Sequence, residues 1–301
     1  MIRLSAPAKL NLFLHVTGQR EDGYHLLQSL FCLIDWEDRI SLWPASGGCI
    51  LRRADHPWPA ETDLTLRAAH ALRDWAVRNR VGQAEQLGCE IQTEKHIPAG
   101  AGLGGGSSDA ASCLLGLRAL WRLPIDSVSL HEIALGLGAD VPFFLLGGSA
   151  LVEGIGERLS PLSCKAQWFV VAVPPVHVPT AAIFRDAALV RNQPAVARVE
   201  IEQACQGPVW QLGINNLEAV ACARFPEVQR LVQQMHGARL VEGLGSSVIR
   251  MSGSGGSVFA SCLNAQLAER FAEQLQKRVE PGTQIRVCRQ LVQHPARALL
   301  Q

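Results

Sequence analysis

Net charge, long apolar runs and paired cysteines are all scarce in this 301-residue chain. Its 28 lysines and arginines face 27 acidic residues, for a formal net charge of +1. That leaves no basic excess to draw in a nucleic acid or another polyanion. No apolar run approaches the ~18 residues of a membrane span. Near the start, Leu10, Leu12, Phe13 and Leu14 are interrupted by Lys9, Asn11 and His15, too soon for the apolar core of a secretory signal. The nine cysteines are odd in number and scattered, no two closer than Cys32/Cys49 or Cys205/Cys222. Such spacing fits neither a zinc knuckle nor a disulfide framework. Free buried thiols in a reducing compartment are expected, and with them a cytoplasmic location. With 48% hydrophobic and 18% charged residues, the chain is expected to be a soluble globular protein.

Lysine is missing from one more informative place. No lysine lies between Lys95 and Lys165, and that interval opens with Pro98, Ala99, Gly100, Ala101, Gly102, Leu103, Gly104, Gly105, Gly106, Ser107, Ser108 and Asp109. Five glycines in seven positions, running into a helix-forming stretch, imply a backbone that must turn tightly or approach something closely. The N–H groups of such a loop, set between a strand and a helix N-terminus, converge on an anion, and the helix dipole favours negative charge there. A phosphate-binding loop is therefore expected, a flexible surface loop with a Ser/Asp helix cap being the plainer alternative. The missing lysine excludes the P-loop, which needs Lys-Ser/Thr after its last glycine. Gly100, Gly102 and Gly105 formally satisfy the dinucleotide fingerprint, with Asp126 near the ribose-acid position. That oxidoreductase reading is weak, since so many glycines satisfy several spacings and Pro124 breaks the strand that should carry the acid.

Elsewhere the pattern is of strands and helices in blocks rather than strict alternation, which argues for an α+β fold. Residues 2–17 alternate as a half-buried strand on Leu10, Leu12, Leu14 and Val16. Strands are expected at 31–34 and 39–43, separated by a charged turn, and residues 44–62 are turn-rich (Pro44, Gly47, Gly48, Pro57, Pro59). Helices are expected at 63–78, 108–121, 127–137 (ending at Gly138), from Pro226, and at 265–278. Further strands are expected at 89–93, 168–173 and 285–292, with a strand–glycine turn–strand over 250–261. Residues 192–207 read as a polar, mobile connection. Glycines 147, 148, 154 and 156 mark a boundary between domains at 1–155 and 156–301.

A phosphate loop with no lysine of its own needs a cation from elsewhere, and phosphoryl transfer needs a proton acceptor. Lys9, in an apolar strand, and Asp140, after Gly138-Ala139, are the candidates. Each has a plain alternative: a snorkelling strand-end lysine and a turn-forming aspartate before Pro142. Asn11 on the same apolar strand needs a polar partner.

Pro98–Ser108 resembles the ATP loop of the galacto-, homoserine, mevalonate and phosphomevalonate (GHMP) kinase superfamily. Four other segments follow that likeness in order: 7–27, with Lys9 and the Asp22-Gly23-Tyr24-His25 stretch; 137–144, around Asp140; 178–184; and 250–260. Asn215-Asn216-Leu217-Glu218 is similar as well. Within the superfamily they look most like the branch that acts on a cytidine-diphosphate methylerythritol. The resemblance implies a two-domain fold, the N-terminal part like ribosomal protein S5 domain 2 and the C-terminal part a ferredoxin-like α/β sandwich. It implies ATP with Mg²⁺ as the phosphoryl donor, and phosphorylation of the 2-hydroxyl of the cytidine compound on the methylerythritol phosphate route to isoprenoid precursors. The partner is then a small molecule, not a nucleic acid or a membrane, and the protein a monomer or weak homodimer. It makes Asp140 the general base and Lys9 its electrostatic companion. It assigns residues 98–108 to ATP, and Asn11, Tyr24, His25, Thr180, Phe184, Gly253, Ser254 and Gly255 to the substrate. It names no metal ligand, although Ser107 and Ser108 carry suitable hydroxyls. Homoserine or mevalonate kinases of the same superfamily are the nearest alternative.

Overall fold

The structure, a computed structural model, describes residues 1–53, 58–242 and 248–300; Pro57 lies outside them. The chain opens with two long antiparallel strands, β1 (Ile2–Gln19) and β2 (His25–Ala45), then β3 (Ile50–Arg52), α1 (Leu64–Arg78) and β4 (Gly88–Glu94). The glycine loop leads into α2 (Gly105–Leu120), followed by α3 (Ser127–Leu137), α4 (Val141–Leu146), β5 (Ser149–Gly154) and β6 (Arg158–Leu162). The rest runs β7 (Trp168–Val173), α5 (Thr180–Phe184), α6 (Arg198–Cys205), α7 (Asn216–Arg224), α8 (Pro226–Glu242), β8 (Ile249–Met251), β9 (Val258–Cys262), α9 (Ala265–Gln276) and β10 (Gln284–Leu291). Strands and helices are mixed in blocks, as an α+β fold requires.

The sheet is organised around β2. Along one edge it pairs with β1 from end to end. Along the other, Leu27–Phe31 pair with β5, Leu33 and Ile34 with β10, and Arg39–Ala45 with β4. Through β10 the sheet continues into β7, β9 and β8. Helices α1, α2, α3 and α4 cover the first part with a core of Leu72, Leu114, Phe143 and their neighbours. Helices α8 and α9 cover β7–β9, burying Leu231, Met235, Phe271 and Leu275. α9 does so as its stripe predicts, capped by Asn264, whose side chain accepts from Leu267 N. Among the described residues no helix is long and apolar enough to cross a membrane.

Four expectations fail for physical reasons. The charged turn at 35–38 does not form: β2 is continuous, with a register shift between Pro7 and Ala8 that absorbs Asp35 and Trp36. The charges find partners instead of water, since Asp38 accepts from Ile97 N (2.8 Å) and His96 N, and Trp36 Nε1 donates to His96 O (2.9 Å). β1 is not half-buried but buried on both faces from Ala6 to Val16, because it threads three hydrophobic clusters in succession. Residues 192–207 are not a loose connection: α6 buries Ile201 and Cys205. The Gln28 side chain holds Val196 through a pair of bonds (2.7 and 3.1 Å). Finally, the cysteines are not all free. Cys164 and Cys205 form a disulfide, while Cys32, Cys49, Cys89, Cys113, Cys222, Cys262 and Cys288 are free thiols.

Candidate active site

The glycine loop and the 252–257 turn meet edge to edge. Ser257 N donates to Ala101 O (3.2 Å), and Ser252 Oγ donates to Gly102 O (3.3 Å). Two glycines are required by this closeness. Gly102 has φ +75°, and a Cβ there would lie 2.3 Å from Ser252 O. Gly104 (φ +71°) caps α2 at the point where Lys9 Cγ and the Phe144 ring press on it. Because Gly104 is the cap, α2 starts at Gly105, three residues earlier than its apolar pattern indicates.

Two clefts lie on either side of this loop and share Gly100, Gly102 and Gly104 as a wall. One, of about 490 Å³, is lined by Pro98–Ser107 together with Thr62–Thr65 and Lys95. The other, of about 270 Å³, is lined by Lys9, Asn11, Ser29, Asp140, Thr180, Phe184, Gly253 and Ser254 among others. Candidates drawn from five separate stretches of chain thus converge on one place.

Lys9 is the centre of the smaller cleft. Its strand is fixed by Lys9 N donating to Leu103 O (2.9 Å). Its ammonium donates to Asn11 Oδ1 (2.5 Å), lies 3.7 Å from Asp140 Oδ2, and sits 4.8 Å above the Phe31 ring. Burial lowers the Lys9 pKa, and the Asp140 charge opposes that shift. Asp140 precedes α4 but makes no side-chain cap bond, and its side chain is 36% exposed. Asp140 lies in the turn closed by Val141 N donating to Gly138 O (3.1 Å), but its side chain makes no bond that caps the helix. Its carboxylate faces Lys9 and the cleft. Asn11 is tied down from behind: its amide donates to Ser29 Oγ (3.0 Å) and its backbone N–H to Ser252 Oγ (3.0 Å). Asn215 donates to Met251 O and Gly253 O (2.8 Å each), holding the second glycine turn in place.

Other candidates take different positions. Thr180 and Ser254 share a hydroxyl–hydroxyl hydrogen bond of 2.6 Å across the rim. The His25 and Phe184 rings meet with centroids 5.0 Å apart. Tyr24 stands at the β1–β2 hairpin tip, 61% exposed, with its N–H on Asp22 Oδ1 (3.2 Å); neither it nor His25 nor Gly255 lines the smaller cleft. Ser108 is buried, and its hydroxyl donates to Pro7 O (2.6 Å), so of the two serines it is Ser107 that lines the larger cleft. Asp126 does not end a strand. It caps α3, accepting from Val128 and Ser129 N (2.8 and 2.9 Å), which removes the ribose acid a dinucleotide site needs.

The sequence reading missed the cation beside the larger cleft. Lys95 donates to Asp109 Oδ2 (2.6 Å) and to Asp38 Oδ2. Burial acts to lower the Lys95 pKa, but the two carboxylates outweigh it and raise it. Burial raises Asp109 to about 7 against the pull of Lys95, and Asp38 pushes it the same way. The signal was available: Lys95 directly follows β4 and stands five residues before Gly100. The P-loop template places its lysine after the last glycine and so does not point to it.

The model of the GHMP kinases N terminal domain matches residues 63–148, which include the glycine loop and Asp140. A structure of homoserine kinase from Cytophaga hutchinsonii shares the fold over 98% of this chain and 96% of its own (TM-score 0.67, 17% identity). Fold and loop together define an ATP-dependent small-molecule kinase of the GHMP class. A 4-diphosphocytidyl-2-C-methyl-D-erythritol kinase of Burkholderia pseudomallei is 42% identical over 294 residues, covering 96% of this chain and 94% of that protein. A crystal structure of 4-(cytidine 5'-diphospho)-2C-methyl-D-erythritol kinase covers 95% of this chain and 99% of its own at 36% identity and TM-score 0.78. The chain belongs to the 4-diphosphocytidyl-2-C-methyl-D-erythritol kinase family.

Proposed function

We propose that this chain transfers the γ-phosphoryl group of ATP to the 2-hydroxyl of 4-diphosphocytidyl-2-C-methyl-D-erythritol, in the methylerythritol phosphate route to isoprenoid precursors. The observation that carries this reading is the shared glycine wall, with the Lys9–Asp140 pair at 3.7 Å beside it. The larger cleft takes the nucleotide, whose phosphates lie on the loop N–H groups at the start of α2. The smaller cleft takes the alcohol.

Asp140 accepts the proton of the 2-hydroxyl as its oxygen bonds to the γ-phosphorus. The bond from that phosphorus to the β–γ bridging oxygen breaks, and ADP leaves. Lys9 keeps the carboxylate oriented and offsets charge growing on the transferred phosphoryl oxygens. Asn11, Thr180 and Ser254 hold polar groups of the substrate, and Gly253 and Gly255 let the backbone come close to it. Phe184 and Tyr24 stack the cytosine, and His25 bonds to its edge.

Mg²⁺ accompanies ATP in this reading. Among the described residues no group of three metal-binding side chains exists. Mg²⁺ keeps several waters and is held mainly by substrate phosphates, with the Ser107 hydroxyl as the protein's contribution in this reading. The same reading makes the protein a cytoplasmic monomer or weak homodimer working on a diffusible substrate.

A coupled ADP-release assay over a substrate panel tests the assignment. Turnover is expected with the cytidine compound and not with homoserine or mevalonate. The reverse result would sink it.

A further inference from the structure

His25, at the start of β2, and Phe184, at the end of α5, bring their rings together, and one guanidinium joins them. Arg191 Nε donates to His25 Nε2 (3.1 Å), and its Nη2 donates to Phe184 O (3.1 Å) and Asp186 O (2.7 Å). Its Nη1 donates to Leu189 O (3.0 Å). The turn that carries these carbonyls is itself braced. Asp186 accepts from Ala188 N (2.8 Å) and pairs with Arg224 at the end of α7. Arg191 is therefore fixed by the loop that presents Phe184, and its fourth bond reaches the histidine.

That bond has a chemical consequence. A guanidinium has only donors and does not give up its proton. Its contact with Nε2 requires a lone pair there, so the ring is neutral and its hydrogen sits on Nδ1. Burial of His25 and the Arg191 charge both favour the neutral ring. The one polar group the ring has left to offer is then an N–H donor. Cytosine N3 is an acceptor, whereas uracil carries a hydrogen at N3.

We propose that Arg191 is a positioning residue that makes the base subsite cytosine-specific by holding His25 in the Nδ1–H tautomer. This rests on the substrate reading given above. Without Arg191 the ring is free to place its hydrogen on Nε2, and an Nδ1 acceptor would then oppose cytosine N3 and suit uracil.

Four proteins decide the matter: wild type, Arg191→Met, His25→Ala and the double variant. Nitrogen-15 spectra of the histidines should show Nδ1 protonated in wild type and mixed tautomers in Arg191→Met. For the cytidine substrate, Arg191→Met should raise KM about 3- to 10-fold, the reciprocal of the fraction of rings left in the Nδ1–H tautomer. kcat should stay within about threefold, because the interaction is made equally in the ground and transition states. The preference for the cytidine compound over its uridine counterpart should fall by a similar factor. KM for ATP should hold, which a general loss of the fold would not ensure, while the melting temperature falls modestly as the carbonyls of Phe184, Asp186 and Leu189 lose their donor. In the His25→Ala background, Arg191→Met should change the preference by less than about twofold, since the two residues act as one unit.

A wild-type ring protonated on Nε2 would overturn the proposal, and that measurement needs no variant to fold. So would an Arg191→Met enzyme with full cytidine preference, or an undiminished Arg191 effect when His25 is absent. A wild type inactive on both nucleotide substrates would instead sink the substrate assignment, while the tautomer result still decides whether Arg191 controls His25.

Discussion

On one side of the glycine loop Lys95 sits between Asp38 and Asp109, donating to Asp109 at 2.6 Å, with Asp38 fully buried and two backbone N–H groups on its second oxygen. On the other side Lys9 stands 3.7 Å from an Asp140 whose side chain is 36% exposed and makes no cap bond. Both are lysine–aspartate sets within reach of the same loop, and they are built to opposite standards. The tighter set braces the turn from β4 into the loop, although Asp109 Oδ1 is buried there without a hydrogen-bond partner. The looser one keeps unspent capacity, and a proton acceptor needs that capacity. Burial and close pairing mark the scaffold here, and a half-exposed carboxylate facing a buried cation marks the chemistry.

Variants that damage one set and spare the other test this contrast. The largest effect is expected from Asp140→Ala. Positioned proton transfer contributes about 10²–10⁴-fold, so kcat should fall by at least that range. Because Asp140 caps nothing but faces the buried Lys9 ammonium, unfolding free energy by urea titration should fall, though by less than in Lys95→Met below. Near-normal turnover would remove Asp140 from the base role.

Lys95→Met should show the opposite profile, losing about 3–5 kcal/mol of stability, because it leaves two buried carboxylates without their cation. A variant as stable as wild type would mean the set is dispensable. Gly102→Ala should cost at least about 1–2 kcal/mol from its left-handed backbone alone. It should also raise KM for ATP, since the added Cβ must push the loop off Ser252 O.

The smallest effect lies in pH dependence. Asp109 is raised to about 7 in the fold from an ordinary 3.8, so its protonated form is the one the fold favours. Its stabilising contribution is full below pH 3.8 and fades as pH rises through 7. Wild type should therefore lose stability relative to Asp109→Asn between pH 4 and 7, read as a narrowing gap in melting temperature. A gap that is flat with pH would show that Asp109 stays ionised throughout.

Much of the scaffold was legible because local rules decided it. Trp168–Val173 and Ser127–Leu137 form as their patterns and breakers indicate. Lys9, Asp140 and the glycine loop were legible through motifs. The turn expected at 35–38 failed because a charged run reads as exposed until its partners, here two backbone N–H groups and Lys95, are known. α6 failed similarly: Arg198–Cys205 is polar around most of its surface and buries only Ile201 and Cys205, too few for a periodic signal. Arg191 could not be found from sequence at all, since its role depends on a histidine 166 residues away.

The short contact between β10 and β2 has a consequence for how this chain can be cut or copied. Residues 290 and 291 fill a gap in the middle of the outer edge of β2, between the stretches served by β5 and β4. A fragment ending before β10 would leave that gap as a row of unpaired backbone donors and acceptors inside an otherwise finished sheet, open to a strand from another molecule. During synthesis the same edge stays open until β10 has emerged. The chain is thus open to self-association until β10 is in place, and truncation before β10 should be read out as aggregation before it is read out as lost activity.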